Sequence, residues 1–313
     1  MIRRAISFKA RSIGLSIGIF AIAAGLAGVK PVTARPLDEV KMAGTLRVAL
    51  YRDNAPFSAR PNGALIGVDV DLAKVVADRL GVSIEFMELA PGDTVEDDLR
   101  NAVWKGSYFG GGVADVMMHV PVDRQFARRN DNVVIFGAYQ RETFALGLDP
   151  RQIDPARING KTEKTRRKTE EQTRSSEWLA ALAGHRIGVE NGTLPDYFLM
   201  GTEGGRLGND VVHFVTVNKA LAALRRGAVA GVLAPRSAIE GDLRSDRTAY
   251  AITTISMPGV QLQSWDIGMA VKENSRDLAV AVGDILTGLM KEGTVNGIFA
   301  GYGLTYNTPL EEE

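Results

Sequence analysis

The chain has 313 residues, 37 basic against 37 acidic, and no cysteine. Five basic residues and no acidic one fall in residues 1–34, so the remainder holds 32 basic against 37 acidic residues. A mildly acidic body is no match for nucleic acid, and the missing cysteine excludes disulfides, a thiolate nucleophile and a lipid-anchored cysteine.

The N-terminus reads as a secretory signal. A basic stretch from Arg3 to Arg11 precedes an apolar run from Ile13 to Val29, and Val32-Thr33-Ala34 offers a small-residue cleavage site. Gly14, Gly18, Gly25 and Gly28 weaken the alternative of a membrane anchor. The expectation is a signal over residues 1–34, and a mature protein diffusing in the periplasm.

Strand-like and helix-like segments then alternate. Thr45–Tyr51 reads as a strand. Asp71–Leu80 has apolar residues at helical spacing, with Asp71 able to cap its start and Gly81 its end. Val82–Leu89 is a strand, Val95, Leu99 and Val103 mark a helix, and Ala114–Val120 is a strand. His185–Glu190 reads as a strand, and Asn191-Gly192-Thr193 opens a helix. Val211–Val217, Ala230–Ala234 and Trp265–Lys272 are strands, and Lys219–Arg226 and Asp277–Lys291 are helices. Such alternation favours an α/β fold of mostly parallel sheets with helices on both faces. Two segments stand apart. Asn159–Ser176 holds no large apolar residue and reads as a polar insertion, and the glycine-rich loop 106–113 displays Tyr108 and Phe109.

At this point the residues resemble a family. Gly44-Thr-Leu-Arg-Val-Ala-Leu, Ala55-Pro56-Phe57, Leu65-Ile-Gly67-Val-Asp69-Val-Asp71-Leu72-Ala73, Ala183-Gly184-His-Arg-Ile-Gly188-Val189-Glu-Asn-Gly192-Thr193 and Gly301-Tyr302-Gly303-Leu304 follow in the order of the family 3 periplasmic substrate-binding proteins, which carry polar amino acids to ABC importers. The resemblance implies a two-lobed type II periplasmic binding protein fold joined by two hinge strands. Lobe 1 would span about 40–141 and 270–313, and lobe 2 about 142–265. The ligand would lie between them, at the carboxyl ends of the strands.

The same resemblance implies site residues. A guanidinium gripping a ligand carboxylate falls on Arg124, with Arg128 and Arg129 as competitors, although the turn before it lacks the family's serine and threonine. Gly192 and Thr193, at a helix start, would help hold that carboxylate. His119 sits at the cleft end of its strand. Asn54 takes the place of a stacking tyrosine, and Phe57 follows in the Pro-Phe turn. The aspartate that usually holds an α-ammonium falls on Pro235, followed by Arg236. Asp53, Asp69 and Asp266 are acids that could replace it from elsewhere; otherwise the ligand is an acid without an amine.

The expected function is therefore delivery of a small polar solute, anionic or amino-acid-like, to an ABC permease in the inner membrane. The alternative is an accessory role beside a periplasmic quinoprotein (PQQ-type) alcohol dehydrogenase, which Val120-Pro121 and the missing aspartate also fit. The protein is expected to act as a monomer without cofactor or metal. Enzymatic activity is not expected: past the expected signal the sequence holds no G-x-S-x-G or H-E-x-x-H, and its three histidines, His119, His185 and His213, lie far apart.

Overall fold

The computed structural model describes residues 34–107, 110, 112–158 and 178–310. The expected signal, except Ala34, the aromatic pair of the 106–113 loop and the polar insertion 159–176 lie outside the described residues. No described helix is long and apolar enough to cross a membrane.

Helix α1 (Leu37–Ala43) leads into strand β1 (Thr45–Tyr51). Then come α2 (Val68–Leu80), β2 (Ser83–Leu89), α3 (Val95–Leu99) continued by a π-helical turn, β3 (Val116–Val122), α4 (Arg124–Arg129) and β4 (Val133–Leu148). The chain goes on through α5 (Pro155–Ile158), helical residues 178–182 (α6), β5 (Ile187–Glu190), α7 (Leu194–Gly201), β6 (Val211–Phe214), α8 (Val217–Arg225), β7 (Gly231–Pro235), α9 (Arg236–Asp242) and β8 (Ala251–Thr254). It closes with β9 (Ser264–Lys272), α10 (Arg276–Lys291) and α11 (Thr294–Gly301).

Two sheets share one long strand. In the first, β1 lies parallel to β2 and β3, and β9 runs antiparallel between β3 and β4. In the second, β5 lies parallel to β6 and β7, and β4 runs antiparallel to β7 and β8. Residues Val133–Thr143 of β4 pair with β9, and Phe144–Leu148 pair with β7 and β8, so β4 passes from one sheet to the other between Thr143 and Phe144. The parallel strands expected from the alternation are present, and the long β4 and β9 add antiparallel ladders between them. Each sheet has apolar clusters of its own. Leu46, Val48, Leu72 and Val282 pack on the first, and Leu146, Leu182, Ile187 and Leu233 on the second.

Helix α2 begins three residues earlier than its apolar spacing predicts. Its N-cap is Gly67, not Asp71. Gly67 has φ 141°, and a Cβ there would lie 2.0 Å from the Phe57 carbonyl oxygen. Only glycine permits that crossing. Asp71 instead accepts the Tyr302 hydroxyl at 2.7 Å, tying α2 to the segment after α11. Strand β6 stops at Phe214, short of the expected Val217, because Thr216 caps α8 by accepting the Lys219 N–H.

The crossing is reinforced by buried acids. Glu142 of β4 accepts the Ser237 hydroxyl and the N–H groups of Thr143 and Ser237. Burial pushes its carboxyl above the usual range, and these donors oppose the shift. Glu240 of α9 is fully buried and accepts the Thr305 N–H at 2.6 Å and the Arg236 Nε–H at 2.8 Å. The C-terminal segment is thereby held against the lobe built on the second sheet.

Candidate functional site

A cleft of about 760 Å³ opens where the strand ends of the two lobes meet, within the range of small-molecule sites. The end of β3 contributes Pro121 and Val122, the end of β5 Glu190, and the end of β7 Ala234 and Pro235. The crossing strand β4 supplies Arg141 and Phe144, and its neighbour β9 supplies Trp265 and Asp266, as its floor. Carboxyl strand ends, freed of neighbours by the diverging sheets, are where open α/β folds place ligands.

The floor is aromatic and ionic. The Phe144 and Trp265 rings lie 5.0 Å apart at 50°. Arg141 and Asp266 face each other in register across β4 and β9 and form a fork, Nε to Oδ1 at 2.8 Å and Nη2 to Oδ2 at 2.8 Å. Both are largely buried, at 22% and 11% exposed, so each neutralises a charge the other could not keep alone.

Glu190 is the contrasting group. Its Oε2 accepts the Val217 N–H at 3.2 Å, and no described basic side chain pairs with it. Burial raises its carboxyl above the usual range, opposed by that one N–H. The third acid of the cleft, Asp123, caps α4 by accepting the Phe126 N–H at 2.7 Å. Among the described residues the lining thus carries three carboxylates and one guanidinium.

The residues expected from the sequence distribute as follows. Thr193 lines the cleft and donates its hydroxyl to the Glu190 carbonyl at 2.7 Å. Arg124 does not line it: the residue opens α4 and is exposed. Gly192 lies outside the lining, and its N–H is taken by Asp196 Oδ2 at 2.8 Å. Asp196 in the first turn and Pro195, which has no N–H, reduce what the start of α7 can offer an anion. Phe57 is 4% exposed in the core, its ring 4.3 Å from His119 and 6.3 Å from Phe299. Pro235 lines the cleft as the missing-aspartate position, and Arg236 turns to Glu240.

His119 and Asn54 line a neighbouring pocket of about 410 Å³ that shares Pro121 with the cleft. A bulge between Met118 and Val120, with φ 63° at His119, turns the imidazole off the β3 ladder. Its Nδ1 lies 3.1 Å from Asp69 Oδ2, and Tyr139 donates its hydroxyl to Asp69 Oδ1 at 2.7 Å. Asn54 braces its own turn: its carbonyl accepts the Phe57 and Ser58 N–H groups. Of the acids weighed as substitutes, Asp69 is buried in this network, Asp266 is forked to Arg141, and Asp53 lines the neighbouring pocket. The sequence reading missed Glu190 and Trp265. Glu190 carried one usable sign, being the last residue of a predicted strand.

Residues 46–104 match the sequence model of bacterial extracellular solute-binding proteins, family 3. No curated protein sequence matches the chain. The solved structure of an ancestral cationic amino-acid solute-binding protein, AncCDT-1, superposes with a TM-score of 0.61 at 20% identity, covering 85% of this chain and 99% of that one. A second structure of AncCDT-1 is described as a precursor of cyclohexadienyl dehydratase. An amino-acid ABC transporter substrate-binding protein of Streptococcus pneumoniae bound to L-arginine gives 0.56 at 19% identity, covering 88% and 100%. A mutant of ArgBP from T. maritima gives 0.52 at 23% identity, covering 85% and 98%. None of these bears on the dehydrogenase-accessory reading. The segment 46–104 therefore carries the family 3 solute-binding signature, and the chain around it has the two-lobed type II periplasmic binding protein fold.

Proposed function

We propose that this protein is an exported solute-binding protein that takes up one small polar molecule between its lobes and hands it to an ABC importer. The cleft at the joined strand ends carries the reading. It is small-molecule sized, floored by the crossing strand β4 and its neighbour β9, and lined from both lobes. A ligand touching both walls favours their approach, because its contacts are complete only in the closed form. The description of the S. pneumoniae protein as an ABC transporter substrate-binding protein supports the importer as partner. Binding rather than catalysis is the reading, since the chemistry of the cleft is that of recognition: an aromatic floor, one ion pair and two further carboxylates.

A thermal-shift screen against amino acids, amines, organic acids and polyols tests it. A ligand at a hundred times its Kd raises stability by about 2.7 kcal/mol. Small-angle scattering should show the protein becoming more compact with the same ligand. A screen in which no small molecule raises the melting temperature overturns the proposal.

A further inference from the structure

We infer that the cleft selects an organic cation with an apolar body and no carboxylate, its charge taken by Glu190 and its body lying on Trp265 and Phe144. The inference rests on the solute-binding reading and specifies its ligand. It concerns the sign of the charge that the lining can accept.

A carboxylate entering this cleft needs a cation, and among the described residues the only guanidinium in the lining is Arg141. Arg141 is forked to Asp266 by two bonds of 2.8 Å. Drawing it away would leave Asp266, 11% exposed, as an uncompensated buried charge. The Leu310 N–H, 3.3 Å from Asp266 Oδ2, is too little to replace it. Arg236, which follows Pro235, is held by the fully buried Glu240. The start of α7 is occupied by its own Asp196, which takes the Gly192 N–H.

A cation meets the opposite situation. Glu190 is a half-buried carboxylate at the end of β5 whose side chain has one backbone N–H and no basic partner among the described residues. Such a group is stabilised when an ammonium or guanidinium arrives. The Trp265 ring belongs to the same lining, and an indole face attracts a cation by its quadrupole. Phe126, Leu194, Leu233 and Val217 make the remaining wall apolar, which suits a hydrocarbon body. An α-amino acid satisfies Glu190 and leaves its own carboxylate desolvated.

Calorimetry on the purified protein with matched pairs decides this: agmatine against L-arginine, and 2-phenylethylamine against L-phenylalanine. Within each pair the molecules differ by one carboxylate. In at least one pair the amine should bind ten-fold or more tightly than its amino acid. Glu190→Gln should weaken that amine ten-fold or more while leaving the melting temperature of the unliganded protein unchanged. Equal or tighter binding of the amino acid overturns the inference and leaves the solute-binding reading standing. So does tight binding of an organic acid from the wider screen, or an amine affinity that survives Glu190→Gln. If the screen yields no ligand of any kind, both fall.

Discussion

Removing a single oxygen, in Tyr139→Phe, probes the network that turns His119 off its strand. Tyr139 is fully buried. Its hydroxyl donates to Asp69 Oδ1 at 2.7 Å and accepts the His119 backbone N–H. Burial and the adjacent Asp69 carboxylate push the phenol well above its ordinary range, so it stays a neutral donor at any working pH. The variant keeps the ring and its packing. It strands one oxygen of a carboxylate that is itself fully buried, and one backbone N–H. A hydrogen bond to a charged group contributes about 1.5–3 kcal/mol, and a stranded neutral donor costs about 1 kcal/mol or more. The expected loss is about 2–4 kcal/mol. At about 2–4 °C per kcal/mol for a domain approaching this size, the melting temperature should fall by roughly 5–15 °C. Urea unfolding followed by circular dichroism at pH 7 measures it, and an unchanged m-value shows that the same surface is exposed on unfolding. A loss under about 0.5 kcal/mol would mean that water replaces the hydroxyl, and the network would then not be what holds His119 in its bulge.

Three further outcomes are expected. Gly67→Ala should abolish soluble folded protein or cost more than about 3 kcal/mol, since its Cβ would meet the Phe57 carbonyl at 2.0 Å with φ at 141°; a near-neutral variant by urea unfolding refutes that geometry. Asp149 is held at about 2, below its usual range, first by the Arg151 guanidinium and against its own burial. A depressed folded-state value means stability present above about pH 4 and lost as the pH falls toward 2. Arg151 is 72% exposed and screened by solvent, so Asp149→Asn should flatten only about 1–2 kcal/mol of that acid limb; an unaltered limb between pH 4 and 2 refutes the pairing. Arg124→Ala, at an exposed residue outside the cleft lining, should leave the affinity for any ligand the screen identifies within about two-fold by calorimetry. A ten-fold loss would return the anion-gripping role to this arginine.

Much of the fold was legible because local chemistry punctuates it. Strand β1 runs over Thr45–Tyr51 as its apolar pattern predicts, and Gly81 ends α2 in the left-handed conformation expected of a C-cap. What was not legible is the long strand β4. Its 16 residues, VVIFGAYQRETFALGL, change partners halfway. The polar Gln140, Arg141 and Glu142 interrupt its apolar run, so no single strand period marks the segment. In the folded chain those residues sit at the crossing, where Arg141 finds Asp266, 125 residues away, and Glu142 finds Ser237, 95 residues away.

The same division holds for the site. From the sequence alone came the α/β alternation, the two-lobed resemblance and the rule that a ligand lies at carboxyl strand ends, because each depends on spacing and order along the chain. Which side chains share the cleft was decided only by tertiary structure. Arg124 follows the expected strand, yet α4 begins with it on the exposed side. Glu190 was passed over as an ordinary strand residue, and the fold leaves it facing the cleft without a basic partner among the described residues. Charge is written residue by residue, but whether a charge is neutralised depends on partners brought together by sheet register. Here the register of β4 against β9 commits Arg141, the only arginine in the lining among the described residues, to Asp266.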